Sequence, residues 1–234
     1  MMLRDDFAPS VTRRSLLVSS GNLFVASCVV SACSSLLPAP KTLPIYVLEP
    51  HLSAVPAGPL FNSQLVVALP RAEASLDTSR IALRKMPAML DYYADAAWTD
   101  RLPIVMQDLL IGCFESSGRM VGIGRDDSGI AANYRLETEL RQFEAHYVQA
   151  DSAPRVVVQL DAHLIALPSE TIVARTAIMQ TAQTHKNDLN DIILSFDEAT
   201  GSTLDQIVNW TFSELSSRGG EPASPAPPTT MPAP

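Results

Sequence analysis

The chain has 234 residues, with 17 Lys or Arg against 25 Asp or Glu, which gives a formal net charge of −8 at pH 7. This acidic balance argues against nucleic acid as a partner and against electrostatic docking on anionic lipid. The length suits one domain of ordinary size with a sizeable core.

Residues 1–32 are predicted to be a lipoprotein signal peptide. After a polar start, an apolar run begins at Ser15 and ends in Ser31-Ala32-Cys33. An apolar run with a small-residue cleavage site is a general export feature, and a cysteine at the cut point narrows it to a lipobox. In a lipobox the cysteine receives a diacylglycerol and becomes the first residue of the mature protein. The sequence therefore predicts lipidation of Cys33, and the alternative is an ordinary signal peptide, or a short buried helix, that contains a cysteine.

Two neighbouring arginines, Arg13 and Arg14, precede the apolar run. Such a pair resembles a twin-arginine export signal, and it also fits the positive segment of a Sec signal. The sequence leaves both export routes open.

A Pro-rich spacer, residues 33–44, follows the signal peptide and is expected to have polyproline II character. Two or three acyl chains hold a protein on a bilayer almost permanently, and no later run approaches the roughly 20 apolar residues of a spanning helix. In the lipoproteins that this chain resembles, a residue other than Asp after the acylated cysteine, here Ser34, favours the outer membrane. We therefore expect a lipid anchor in the outer membrane, with the domain on the periplasmic face.

Residues 45–217 are predicted to fold as one domain, and the first part of it is predicted to form strands. Apolar runs at 45–48, 64–69, 81–85 and 89–93 are short and lie next to Pro or turn residues. Runs of that length fit strands better than helices.

A helix is predicted from Pro103 to Ser117. Proline suits the first turn of a helix, and the apolar residues of the segment fall on one stripe. The stripe consists of Val105, Met106, Leu109, Leu110, Cys113 and Phe114. Gly118 is expected to cap the C-terminus of the helix. Cys113 is interpreted as a small buried hydrophobe, because no histidine lies near it in the sequence to activate the thiol.

Three long strands are predicted next, at 134–147, 155–164 and 171–183, and they are expected to form an antiparallel meander. Apolar and polar residues alternate along the first two, which is typical of strands with one solvated face. The alternation slips by one residue at Phe143, and a slip of this kind indicates a β-bulge.

A second helix is predicted at 188–217, with a bend or break at Gly201. Residues 218–234 hold six prolines and no large apolar residue except Met231. This segment is predicted to be a disordered tail. The predicted fold class is α+β, a single domain with an antiparallel-rich sheet and two main helices packed on one face.

The sequence lacks the motifs of the common enzyme chemistries. It contains no G-x-S-x-G elbow, no H-E-x-x-H, no C-x-x-C and no phosphate-binding G-x-x-x-x-G-K-S/T. His146 and His163 could face each other across the meander as a metal pair, although two histidines on a solvated sheet face are the favoured interpretation. We expect no catalytic residue, no metal, no cofactor and no enzyme activity.

Tyr92, Tyr93 and Trp98 cluster between a predicted strand and the first helix. Aromatic side chains in such a place serve either as core packing or as a patch that contacts a partner. Both interpretations stay open from the sequence.

Several short motifs follow one another in a fixed order along residues 33–215. They are Tyr46-x-Leu48-x-Pro50, Leu69-Pro70, Ile81-Ala82-Leu83-Arg84, Leu90-x-Tyr92-Tyr93, Trp98, Leu102-Pro103, Tyr134-x-Leu136, Phe143-Glu144 and a terminal helix that ends near Trp210. Together with the lipobox, this ordered set resembles the ABC-type transport auxiliary lipoproteins, including the paraquat-inducible C-type lipoprotein. The chain departs from that pattern in its turn Met86-Pro87-Ala88-Met89 and in its Pro-rich tail.

The resemblance implies a non-catalytic accessory protein of an ABC-type intermembrane lipid transport system. Such lipoproteins act with an MCE-domain protein, a permease and an ATPase, and a ring-like homo-oligomer is compatible with the family. The residues expected at the partner interface are Tyr46, Leu48, Tyr92, Tyr93 and Trp98. Two other hypotheses stay open, a pilot or assembly lipoprotein of another envelope complex and a surface hydrolase or lipid-binding enzyme.

Overall fold

The computed structural model describes residues 43–53, 58–149 and 151–218. The predicted signal peptide, Cys33, most of the spacer and the tail from residue 219 lie outside the described residues. The elements in chain order are β1 (Ile45–Tyr46), β2 (Phe61–Val67), β3 (Arg71–Ala72), β4 (Arg80–Met86), β5 (Met89–Trp98), α1 (Leu102–Ser117), β6 (Met120–Arg125), β7 (Tyr134–His146), β8 (Arg155–Ala166), β9 (Thr171–Gln183) and α2 (Leu189–Ser217).

All described strands belong to one mixed sheet that is built around β7. One edge of β7 pairs antiparallel with β8 along its length, and β8 pairs in the same way with β9. The other edge of β7 pairs in parallel with β2, β3 and β4, one after another. The antiparallel ladders β7–β8–β9 are long and the parallel ones are short, as expected for an antiparallel-rich sheet. The two-residue strand β3 lies in a segment that the sequence did not predict to be a strand.

The predicted bulge in the first meander strand is confirmed. The register between β7 and β8 shifts between Leu140 and Gln142. Because one extra residue lies there, Leu136, Leu140, Phe143 and Ala145 are all buried in the core. The slip in the apolar pattern is therefore the sequence signature of a real backbone irregularity.

Helix α1 confirms the predicted helix to within one residue. Pro103 lies in its first turn, and Gly118 ends it in the left-handed conformation, with φ of 60°. The Gly118 N–H donates to the Glu115 carbonyl oxygen at 3.1 Å. At the other helix, Asp188 caps the N-terminus of α2 by accepting the Asp191 N–H at 3.1 Å.

Of the bend or break expected at Gly201, the break is wrong. Helix α2 continues from Leu189 to Ser217, and Gly201 lies buried near its middle. The reason for glycine at this position is the close approach of another segment of the chain, which is described below.

Both helices contact the sheet and each other, and together they cover one of its faces. Helix α2 packs on β8 and β9, and α1 packs on β6 and β2. The centre of the core is aromatic: the Trp98 ring meets those of Phe143 and Phe196 edge-on, with centroid distances of 5.8 and 5.3 Å. The predicted single α+β domain is thus confirmed.

Candidate functional site

The N-terminal segment of the described domain, residues 43–53, is fixed to helix α2. The backbone N–H of Glu49 donates to the Asp197 carboxylate at 2.8 Å, and the N–H of Ser53 donates to Asp205 at 2.9 Å. Burial raises the pKa of Asp197 above its ordinary value, although the Glu49 N–H acts in the opposite direction. Two side chains of α2 therefore bind the backbone through which the chain enters the fold.

Gly201 lies midway between these two carboxylates. Residues at i, i+4 and i+8 share one helix face, so Asp197, Gly201 and Asp205 form a line about 12 Å long at 1.5 Å per residue. A Cβ atom on Gly201 would lie 2.7 Å from the His51 carbonyl oxygen. The absent side chain lets the segment lie directly on the helix backbone.

Of the five residues expected at the partner interface, two lie in the core. Leu48 and Trp98 are both buried. Tyr46 is half-buried on β1, where it pairs with Trp98 across the parallel β1–β5 ladder. Leu48 and Trp98 thus support the surface near Tyr46 from below.

Tyr92 and Tyr93 lie on opposite faces of the sheet, because successive residues of a strand point to opposite sides. Tyr92 donates through its hydroxyl to the Ser75 carbonyl oxygen at 2.9 Å, and the Arg80 guanidinium lies 3.7 Å from the centre of its ring. The Tyr93 hydroxyl lies 2.9 Å from that of Tyr147. Burial, and then this hydrogen bond, raise the pKa of Tyr93. The two tyrosines therefore do not form one patch.

An open depression that the sequence did not predict lies beside the turn between β4 and β5. We call it the basic groove and define it by Arg84, Met86, His146, Val148 and Arg155; its volume is about 430 Å³. Arg84 pairs with His146 across β4–β7, and His146 pairs with Arg155 across β7–β8. Three basic side chains from three strands thus stand side by side on the sheet face opposite the helices.

Glu144 fixes two of these basic groups. Its side chain is only 2% exposed. The Arg84 guanidinium donates to its two oxygens at 2.8 and 3.0 Å, and the His146 Nε2 lies 2.7 Å from one of them. Among the described residues, the Arg155 guanidinium pairs with no carboxylate. The arrangement is an arginine and an imidazole fixed by Glu144, next to an arginine that has no carboxylate partner in the part of the chain that the structure describes.

The hypothetical metal pair of His146 and His163 is not formed. His146 pairs with Arg155 near one end of the β7–β8 ladder, and His163 pairs with Glu137 near the other. Within the described ranges, no cluster of three or more His, Cys, Asp or Glu side chains has the arrangement of a metal site. The sequence signal for the basic groove is that Arg84, His146 and Arg155 each lie near the end of a predicted strand, but the sequence does not show that these strand ends meet.

Cys113 is buried as expected, at 3% exposure. Burial, followed by the nearby Asp205 charge, raises the pKa of the thiol to about 12. Such a thiol is protonated at neutral pH and a poor nucleophile. Across the described segments, no helix has the length and apolar character needed to cross a bilayer.

The structure defines a class of protein: a single α+β domain whose N-terminal segment, residues 43–53, is hydrogen-bonded to helix α2. A family model described as the ABC-type transport auxiliary lipoprotein component matches residues 46–208. Since that match covers well over half of the chain, this protein belongs to the ABC-type transport auxiliary lipoprotein family.

Other known proteins are similar to this chain in sequence or in fold. A crystal structure of a DUF330 protein from Xanthomonas campestris is 26% identical, with a TM-score of 0.70 over 76% of this chain and 99% of that one. A second solved structure, of an uncharacterized protein, shares only the fold, at 13% identity and a TM-score of 0.57 over 73% of this chain and 99% of that one. An uncharacterized protein of Bradyrhizobium diazoefficiens is 24% identical over 174 residues, 74% of this chain. The chain spans about half of that relative, 46% of its length.

Proposed function

We propose that this chain is the periplasmic accessory lipoprotein of an MCE-associated, ABC-type intermembrane lipid transport system. It is held at the outer membrane by acylated Cys33 and acts as a docking component without catalysis. Membership of the auxiliary lipoprotein family supports the link to an ABC-type transport system. The MCE partner, the lipid cargo and the outer-membrane position rest on the resemblance of the sequence motifs, which is also compatible with a ring-like homo-oligomer.

The observation that carries the docking role is the attachment of residues 43–53 to α2. Ten residue steps separate Cys33 from Leu43, and an extended chain of that length spans at most about 35 Å. The tether then enters the fold at a point fixed by Asp197 and Asp205. A domain held in this way stays near the membrane and has a defined attachment point, which suits a component that receives a partner.

The surface proposed to receive the partner surrounds Tyr46. Its neighbours Ile45 and Val47 are 65% and 53% exposed. A depression of about 370 Å³ lies between Val47 and the α1 residues Ile104 and Val105. Exposed apolar side chains that lie together around a depression are typical of a site that contacts a partner. We therefore place the contact with the MCE protein here, with Leu48 and Trp98 as its support.

The first test is acylation and membrane fractionation of the wild type and of Cys33→Ser. The wild type is expected to carry acyl chains and to fractionate with the outer membrane, and Cys33→Ser is expected to lose both properties. Cys28→Ser is the matched control, because Cys28 lies inside the predicted signal peptide and its replacement leaves Cys33 in place. Equal fractionation of all three proteins would contradict the anchor.

The second test is photo-crosslinking in cells from position 46, with position 179 as the control. Met179 is 58% exposed on β9, away from β1. We expect a crosslink from position 46 to an MCE-domain protein and none from position 179. A crosslink to a secretin instead would favour a pilot lipoprotein, and the absence of any protein partner would overturn the docking role. The mass of the purified protein decides between a monomer and a ring.

A further inference from the structure

The basic groove has a charge that contrasts with the rest of the molecule. The chain as a whole carries a net charge of −8. In the groove, two guanidinium groups and an imidazole stand against the single carboxylate of Glu144. The groove therefore attracts an anion although the protein is acidic.

The donors of the groove are partly fixed before any ligand arrives. Arg84 donates two N–H groups to Glu144 and one to the Pro87 carbonyl oxygen at 2.8 Å. A guanidinium has five N–H groups, so two remain on a side chain that is 30% exposed. Arg155 lines the same groove from the other side of His146, and its guanidinium has no carboxylate partner among the described residues. One guanidinium group that is already held in place and a second one in the same groove together suit an oxyanion with several oxygens, such as phosphate.

The rim of the groove is apolar. Met86 is 55% exposed and Val148 is 81% exposed, and both line the groove. The volume of about 430 Å³ lies within the range of small-molecule sites, roughly 300–1,000 Å³. A ligand that places an anionic group on the arginines would thus lay an attached apolar part against Met86 and Val148.

We propose that the basic groove binds a phosphate ester that carries an apolar portion. The phosphate lies between Arg155 and the free N–H groups of Arg84, and the apolar portion lies on Met86 and Val148. This binding goes beyond the docking role. The binding involves only this chain and a small molecule, so its test does not depend on the MCE partner.

The test is calorimetric titration of the full chain, purified from membranes in a nonionic detergent. Hexyl phosphate is the probe; hexanol lacks the phosphate and inorganic phosphate lacks the apolar part. The wild type is expected to bind hexyl phosphate more tightly than either. Arg155→Gln is expected to weaken this binding about tenfold or more, because a hydrogen bond to a charged group is lost. Equal binding of hexanol and hexyl phosphate would overturn the proposal.

The matched control is Arg175→Gln. Arg175 is an exposed arginine of β9 and pairs with His163, near the other end of the β8–β9 ladder. Its replacement removes the same charge and is expected to leave the affinity unchanged within about twofold. Both variants are expected to keep the wild-type unfolding temperature, since both residues are exposed. Equal weakening by the two variants would show unspecific attraction and overturn the site.

Two further probes distinguish the source of the ligand. Dihexanoyl phosphatidic acid represents a membrane lipid, and hexyl phosphate represents a soluble ester. Tighter binding of the lipid, with the same dependence on Arg155, assigns the groove to a lipid head group. Tighter binding of hexyl phosphate assigns it to a soluble ester. Failure of both probes to bind would overturn the proposal.

Discussion

The carbonyl oxygen of His51 lies so close to Gly201 that a Cβ atom on Gly201 would be only 2.7 Å from it. This contact explains a glycine in the middle of a 29-residue helix, where the residue costs about 1 kcal/mol relative to alanine. The glycine allows the N-terminal segment to pack directly on the backbone of the helix.

Gly201→Ala is therefore expected to destabilise the protein by about 1–3 kcal/mol, the usual cost of overpacking. The control is Gly112→Ala in α1, where no atom lies within 4 Å of the new Cβ. That variant is expected to gain up to about 1 kcal/mol from helix propensity. Urea unfolding of the two variants measures both effects. Stabilisation by both would show that segment 43–53 does not lie on α2.

Asp197 and Asp191, two aspartates of α2, are expected to make the stability of the fold depend on pH in opposite directions. The raised pKa of Asp197 means that the folded protein binds more protons than the unfolded chain above pH 3.8. Its contribution to stability is thus present at low pH and lost as the pH rises through the folded-state pKa. Asp191 behaves in the opposite way, because the N–H of Lys186, and also that of His185, lower its pKa. Its contribution is present above pH 3.8 and is lost as the pH falls.

Asp197→Asn and Asp191→Asn test this pair. The stability of the wild type relative to Asp197→Asn is expected to fall as the pH rises above 3.8, the ordinary aspartate value. Relative to Asp191→Asn, it is expected to rise with pH in the range below 3.8. Urea unfolding at a series of pH values gives both slopes. Slopes of the same sign would contradict the assigned environments.

Glu144→Gln is expected to destabilise the fold by about 1–3 kcal/mol. Breaking a fully buried ion pair costs about 3–5 kcal/mol, but Arg84 keeps 30% exposure, and water replaces part of the lost interaction. Asp108→Asn is the control, because the Asp108–Arg125 pair is about half-exposed and such pairs contribute about 0–1 kcal/mol. Thermal unfolding compares the two, and equal losses would place Glu144 at the surface.

Cys113 is expected to resist thiol reagents until the protein unfolds. The test uses the full chain with Cys28→Ser and Cys33→Ser, in which Cys113 is the remaining thiol. A pKa of about 12 and burial at 3% exposure leave little accessible thiolate at pH 8. Labelling in native buffer is expected to be far slower than in urea. Fast labelling of the native protein would reveal an exposed, activated thiol.

Much of the fold is predictable from local patterns. The stripe of α1, its Gly118 cap and the alternation of the meander depend on residues that are close in sequence. The bulge after Leu140 is visible as a slip in the same alternation. These features concern single elements or adjacent strands, and the periodicity of their apolar residues can be read directly from the sequence.

The parts that sequence analysis missed depend on distant segments. The parallel pairing of β4 with β7 brings Arg84 to His146 across 62 positions, and no local pattern specifies that register. The role of Gly201 depends on His51, far away in the chain. Leu48 and Trp98, which were expected at the partner interface, are apolar positions of a motif, and the sequence alone does not show that they are buried in the core.

Strand β7 is the only hydrogen-bonded link between three groups of the described strands. Without it, the sheet separates into β8–β9, into β2–β6, and into β4 with β5 and β1, while β3 is left unpaired. A break in the backbone within Tyr134–His146 would interrupt the strand on which the three groups meet, whereas a break in the turn at Asp126–Asp127 would leave each ladder joined. New termini or inserted domains are therefore better tolerated in that turn than in β7.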